Sequence, residues 1–177
     1  MRTDKMKKFA IFGLIILTLT FSAFGQKKTI TVKSDPSKDV RAVFDRLVEG
    51  IKTADAAKVM SVYNKSEDIL FFNNNGSVTR SWETMRENRE KSYKNASNVS
   101  LEPTGVRIEM LGTTGAYLTC KWKQQQEYNG KLETASGRMT LVFKLIGKEW
   151  KVVHLHTSPD NPDATRPVLS SERETTN

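Results

Sequence analysis

The chain has 177 residues, of which 37% are hydrophobic and 27% are charged, and its formal net charge is +8 at pH 7. This length predicts one domain with additional terminal segments. The 28 Lys and Arg residues are scattered along the chain, which argues against a nucleic-acid-binding protein. Cys120 is the only cysteine, so an internal disulfide is excluded and a hydrophobic core must stabilise the domain.

Residues 1–25 have the three parts of a secretory signal peptide. Four basic residues precede the apolar stretch 9–21, and Ala23-Phe24-Gly25 forms a small-residue cleavage site. The apolar stretch is shorter than the roughly 20 residues that span a bilayer, so an uncleaved anchor is the lesser alternative. We therefore expect export to the periplasm or the exterior, with no membrane association after cleavage. Removal of four cations and one anion would lower the net charge by three, to +5.

Three helices are predicted in the first half of the chain. After a polar linker at 26–38, residues Asp39–Thr53 place apolar side chains at helical spacing, with Asp39 or Ser37 as the capping residue. Asp55 is expected to cap a short second helix that ends near Tyr63. Ser81 is expected to begin a third helix that reaches Lys94 and carries Trp82, Met85 and Arg89 on one side.

Strands dominate the rest of the chain. A short strand at 68–72 is closed by the turn residues 73–76, and further strands are predicted at 99–111, 117–128, 131–145 and 149–158. Asn129-Gly130 predicts a type I′ hairpin turn, and Gly147-Lys148 predicts a type II′ turn. Residues 159–177 are polar and are expected to form a disordered tail. This order predicts an α+β fold in which three helices pack on the concave face of a strongly curved antiparallel sheet.

The two turns also predict which side chains share a face. Pairing outward from Asn129-Gly130 places Leu118, Cys120 and Trp122 opposite Leu141, Met139 and Gly137. Pairing outward from Gly147-Lys148 places His154 opposite Leu141 and His156 opposite Met139. The inner face is therefore expected to be apolar apart from two histidines, while Arg138 lies on the outer face. A β-bulge would shift this map by one residue.

The element order and the closing sequence GRMTLVFKLIGKEWKVVHLHTS resemble a known family. Gly137, Arg138, Thr140, Trp150, Val153, His154, His156 and Ser158 match a pattern that is similar to the one ending the SnoaL-like, or DUF4440, branch of the NTF2-like superfamily, which includes the association domain of calcium/calmodulin-dependent kinase II. The resemblance covers residues 39–158 and implies a cone-shaped NTF2-like domain. It leaves the function open, because this superfamily contains enzymes, ligand-binding proteins and oligomerisation modules.

The expected site lies at the wide end of the cone. Its candidate ligand-binding residues are His156, Trp122, Tyr63, Arg138, His154 and Ser158. Arg138 enters because the resemblance implies a pocket arginine. No cofactor or metal is expected, since a zinc site needs at least three protein ligands and the chain has two histidines. Cys120 is interpreted as a buried small hydrophobe rather than a nucleophile, and Trp82 and Trp122 as core residues rather than stacking platforms.

These observations favour an exported domain that binds a small, partly apolar molecule in the cone pocket. The first alternative is an isomerase, cyclase or dehydratase with His156 as general base, and the second is an oligomerisation module. A homodimer is expected through the outer face of the sheet, where Val142, Val153 and Leu155 lie among polar residues.

Overall fold

The computed structural model describes residues 35–160. The expected signal peptide lies outside the described residues, as do most of the expected linker and most of the expected tail. The helices are α1 Pro36–Lys52, α2 Ala56–Ser61 and α3 Trp82–Tyr93. The strands are β1 Leu70–Phe72, β2 Val78–Arg80, β3 Ala96–Leu111, β4 Gly115–Tyr128, β5 Lys131–Ile146 and β6 Glu149–Pro159.

Side-chain caps define where the helices begin. Helix α1 begins three residues earlier than expected, because the Asp35 carboxylate accepts a hydrogen bond of 3.0 Å from the backbone N–H of Ser37 and Pro36 suits the first turn. The predicted caps Ser37 and Asp39 are therefore wrong. The predicted cap of α2 is confirmed, since Asp55 accepts from the backbone N–H of Lys58 at 2.8 Å. The third helix begins within one residue of Ser81 as predicted, and the Ser81 hydroxyl accepts a hydrogen bond of 3.2 Å from the backbone N–H of Thr84.

The sheet has the strand order β2-β1-β6-β5-β4-β3. Every neighbouring pair is antiparallel except β1 and β6, which run parallel. The three helices contribute to one hydrophobic core with one face of the sheet, and the predicted α+β class is confirmed. The predicted antiparallel sheet is wrong at one pair, because β1 forms a hairpin with β2 on one side and lies parallel to β6 on the other, so the sheet is mixed.

Both predicted hairpin turns are confirmed. Asn129 and Gly130 have φ values of 50° and 74°, as a type I′ turn requires at both central residues. Gly147 has a φ of 63°, as a type II′ turn requires at its first central residue. The β4–β5 register is also the predicted one, with Trp122 opposite Gly137.

A β-bulge in β6 overturns the second half of the predicted β5–β6 register. Phe143 pairs with Val152, but Val142 pairs with His154, so Val153 is an extra residue in β6. The predicted pairing of His154 with Leu141 and of His156 with Met139 is therefore wrong, and Leu155 and Thr157 take those positions. The buried residues of β6 show the change of period, because Trp150 and Val152 are two apart whereas Val152 and Leu155 are three apart.

The core lies between the helices and the inner face of the sheet. Its most deeply buried large side chains include Phe44 of α1, Phe71 of β1 and Phe143 of β5, each at most 2% exposed. Cys120 is buried in this core, and burial raises the pKa of its thiol to about 11, which supports its interpretation as a small hydrophobe. None of the helices described within residues 35–160 has the length and hydrophobicity needed to cross a bilayer.

Candidate functional site

A cavity of about 530 Å³ is lined by residues of α1, α3 and the inner face of the sheet. Its apolar wall comes from Leu47, Ile51, Leu101, Met139 and Leu155. Tyr63, Tyr93 and Trp122 add aromatic surface, and polar side chains of α3, the β1–β2 turn and the ends of β4 and β5 complete the lining. The volume is in the range of small-molecule sites, about 300–1,000 Å³.

The structure brings two of the six predicted site residues to this cavity. Tyr63 and Trp122 line it, whereas His154, His156, Arg138 and Ser158 are not among its lining residues. Arg138 is exposed and pairs with Ser158 across β5 and β6. The bulge lies in β6 and leaves the β4–β5 register intact, so Arg138 stays on the outer face that the sequence indicates.

The two histidines lie together on the outer face of the sheet. The Phe72 ring meets His154 and His156 edge-on, with centroid distances of 5.3 and 5.6 Å. His154 is half-buried and His156 is exposed. The sheet therefore separates both imidazoles from the cavity, and His156 does not lie where a general base of a cavity reaction must be.

Tyr63 lies just after α2, where a backbone bridge holds it against β6. The backbone N–H of Asn64 donates to the carbonyl oxygen of Val152 at 2.8 Å, and the N–H of Val152 donates to Val62 at 2.9 Å. The Tyr63 ring packs edge-to-face on Phe71 with a centroid distance of 5.0 Å. Burial raises the pKa of Tyr63 to about 12, so its hydroxyl is neutral and can donate a hydrogen bond at physiological pH.

Trp122 is a buried part of the lining, at 5% exposure. Its indole Nε1 has no hydrogen-bond partner within the described residues. Its place depends on Gly137, where an added Cβ would lie 3.1 Å from Cζ2 of Trp122 and 2.1 Å from the backbone oxygen of Ser158. Gly137 therefore allows β6 to approach β5 closely beneath the indole. Trp122 is both a core residue and a wall of the cavity.

Helix α3 supplies two functional candidates that sequence reasoning did not select, Arg89 and Tyr93. Among the described residues that line the cavity, Arg89 is the only Lys or Arg. Its Nη1 lies 3.5 Å from the Tyr93 hydroxyl, and its guanidinium carbon lies 5.7 Å from the Tyr93 ring centroid, a cation–π distance. One sequence feature could have indicated Arg89, because it lies four residues after the buried Met85 and therefore on the same side of the helix.

One acidic side chain, Glu133, also lines the cavity. Glu133 is exposed and accepts a hydrogen bond from the Gln126 side-chain amide at 3.0 Å, while Gln124 donates to Gln126 at the same distance. Thr157, which the bulge turns inward, donates to the backbone oxygen of Phe72 at 3.1 Å. The cavity therefore combines apolar walls with hydrogen-bonding groups and a single cation.

Comparison with known proteins agrees with this architecture. A family model described as a SnoaL-like domain matches residues 40–162. No functionally curated protein sequence matches the chain. The predicted DUF4440 branch stays a prediction.

Solved structures with the same fold come from several bacteria. An NTF2-like superfamily protein from Salmonella enterica serovar Typhimurium is 22% identical with a TM-score of 0.64, over 72% of this chain and 93% of that one. A proposed calcium/calmodulin-dependent kinase II association domain from Xanthomonas campestris is 19% identical with a TM-score of 0.60, over 72% and 89%. A proposed dehydratase of the NTF2-like family from Streptomyces avermitilis is 16% identical with a TM-score of 0.64, over 72% and 100%. At these identities the likeness concerns the fold alone.

Proposed function

The chain belongs to the SnoaL-like domain family, and from this premise we propose that it binds a small, partly apolar molecule in the cavity between α1, α3 and the sheet. The observation that carries the proposal is the composition of one continuous space of about 530 Å³. Apolar and aromatic side chains form about half of its lining, and polar or charged side chains form the other half. Such a combination supplies hydrophobic binding energy together with fixed orientation.

Binding rather than turnover is proposed because of where the titratable groups lie. Acid–base catalysis requires a proton donor or acceptor within hydrogen-bond reach of the substrate. His154 and His156 lie across the sheet from the cavity. Tyr63 holds its proton up to a pKa of about 12, and the Glu133 carboxylate is exposed and bonded to Gln126. These groups suit orientation of a ligand better than proton transfer.

Neighbouring positions on opposite faces of β5 provide a matched test. Ala135 lines the cavity, whereas Ser136 lies outside it. N-phenyl-1-naphthylamine, a neutral fluorescent probe, should bind the unaltered protein saturably. Ala135→Trp should weaken binding at least about tenfold, which corresponds to 1.4 kcal/mol, and Ser136→Trp should leave it unchanged. Absence of saturable binding, or equal binding by both variants, would contradict the proposal.

Export and dimerisation complete the proposal. Sequencing the amino terminus of protein recovered from the exterior or periplasm should give a start near residue 26; a start at Met1 would favour an anchor. A dimer through the outer face must be tested at Val142, which pairs with His154 there. Leu155, expected on that face, is instead 4% exposed in the core. Val142→Asp should convert a dimer to a monomer in light scattering, and a monomer before substitution would contradict the proposal.

A further inference from the structure

We infer that the ligand of this cavity carries one carboxylate, which Arg89 binds, on an apolar body. This inference deepens the proposed function and depends on it. The cavity contains one guanidinium, and no carboxylate of the described residues 35–160 forms an ion pair with Arg89. The neighbouring Arg86 on the same helix shows the contrast, because it is paired with both Glu83 and Glu90.

Arg89 is held in place yet retains free hydrogen-bonding capacity. Its guanidinium lies beside the Tyr93 ring, and its one hydrogen bond within residues 35–160, to the Tyr93 hydroxyl, is long at 3.5 Å. A guanidinium has five N–H donors, so most remain available. Arg89 is half-buried. Because a half-buried cation is less screened by water, an anionic partner stabilises it more than it would a fully exposed cation. A carboxylate matches its planar fork with two parallel hydrogen bonds.

The charge balance of the lining limits the ligand to one negative charge. Among the described lining residues Arg89 is the single cation, and Glu133 is an anion on the same cavity. A phosphate monoester, with a charge near −2 at pH 7, would meet one cation and one repelling carboxylate. A monocarboxylate would meet the same two groups with a single negative charge, which Arg89 alone can neutralise. The apolar remainder of the ligand would contact the wall formed by Leu47, Met139 and Leu155.

A pair of probes that differ only in charge tests this inference. 2-Naphthoate and 2-naphthamide have the same ring system, and only the first is an anion at pH 7. Calorimetric titration of the purified chain should show naphthoate binding at least about tenfold more tightly, as a charge-assisted hydrogen bond provides. Arg89→Gln should abolish this preference by weakening naphthoate alone. Arg89→Lys should retain part of the preference, and Arg86→Gln should retain all of it.

The outcomes separate this inference from the proposed function. If N-phenyl-1-naphthylamine binds but naphthoate and naphthamide bind equally, the cavity is a binding site and the carboxylate inference is wrong. The same conclusion follows if Arg89→Gln keeps the preference for naphthoate while its circular dichroism matches that of the unaltered protein. If none of the three compounds binds, the proposed function itself fails. Should Arg89→Gln not fold, the comparison of the two probes on the unaltered protein still decides the inference.

Discussion

Replacing Leu155 and His156 separately by alanine tests the bulge in β6 directly. In the structure Leu155 is 4% exposed and belongs to the core, whereas His156 is exposed on the opposite face. Without the bulge the two residues would exchange faces, because a one-residue shift moves every side chain of a strand to the other side. The two alanine variants therefore have opposite expected effects in the two registers.

The expected loss in the free energy of unfolding for Leu155→Ala follows from the surroundings of Leu155. Leucine-to-alanine substitutions in cores cost about 2–5 kcal/mol, and the cost rises with the cavity that the substitution creates. Leu155 already borders an existing cavity, so part of its surface has no packing partner to lose. We therefore expect a loss near the lower end, about 2–3 kcal/mol.

The expected loss in the free energy of unfolding for His156→Ala is smaller. Its ring contact is the edge-on approach to Phe72 at 5.6 Å, and aromatic pairs contribute about 0.5–1.5 kcal/mol beyond area burial. Because His156 is exposed, we expect a loss below about 1 kcal/mol. Urea denaturation followed by circular dichroism gives both free energies of unfolding. A larger loss for His156→Ala than for Leu155→Ala would refute the bulge and restore the register expected from the turn.

Three further predictions concern other parts of the fold. Gly137→Ala should lower the free energy of unfolding by about 3 kcal/mol or more, because the new Cβ would lie 2.1 Å from the Ser158 oxygen. Ser136→Ala is the control in the same urea titration. An equal loss of stability in the two variants would contradict the close approach of β5 and β6. Asp55→Ala should cost about 1 kcal/mol by removing the cap of α2, measured against Asp55→Asn, which should retain most of the stability. Between about pH 9 and 11 the unaltered protein should lose more stability than Cys120→Ala. The reason is that the folded chain retains the thiol proton up to a pKa of about 11, whereas the unfolded chain releases it near the ordinary thiol pKa of 9.0. Equal thermal melting profiles across that range would show that Cys120 is not buried.

Much of the fold could be predicted because local signals agreed with one another. Asn129-Gly130 specified the turn and therefore the β4–β5 register, and the alternation of apolar residues in both strands required the same pairing. Asp55 and Ser81 each stand immediately before a helix with the correct spacing to its first free N–H groups. The cap of α1 was harder to predict, since Asp35, Ser37 and Asp39 are all suitable capping residue types.

The cavity was harder to predict than the fold, for two physical reasons. Adjacent Val152 and Val153 offer an apolar side chain to the core in either register, so alternation alone does not reveal the bulge. Only the three-residue step from Val152 to Leu155 indicates it. Helix α3 is polar on most of its surface, with Met85 its only buried residue, so no apolar stripe showed that Arg89 and Tyr93 face the sheet.

The bulge at Val153 also determines what chemistry the cavity can support. In the unshifted register the strand would present His154 and His156 to the interior, which would place titratable groups beside a bound molecule. In the observed register Leu155 and Thr157 take that face, and Thr157 is engaged with the backbone oxygen of Phe72. One extra residue therefore replaces two potential proton carriers with an apolar wall and a neutral hydroxyl. Arg89 on the facing helix is then the single cation among the described lining residues, and our inference assigns to it the recognition of a carboxylate.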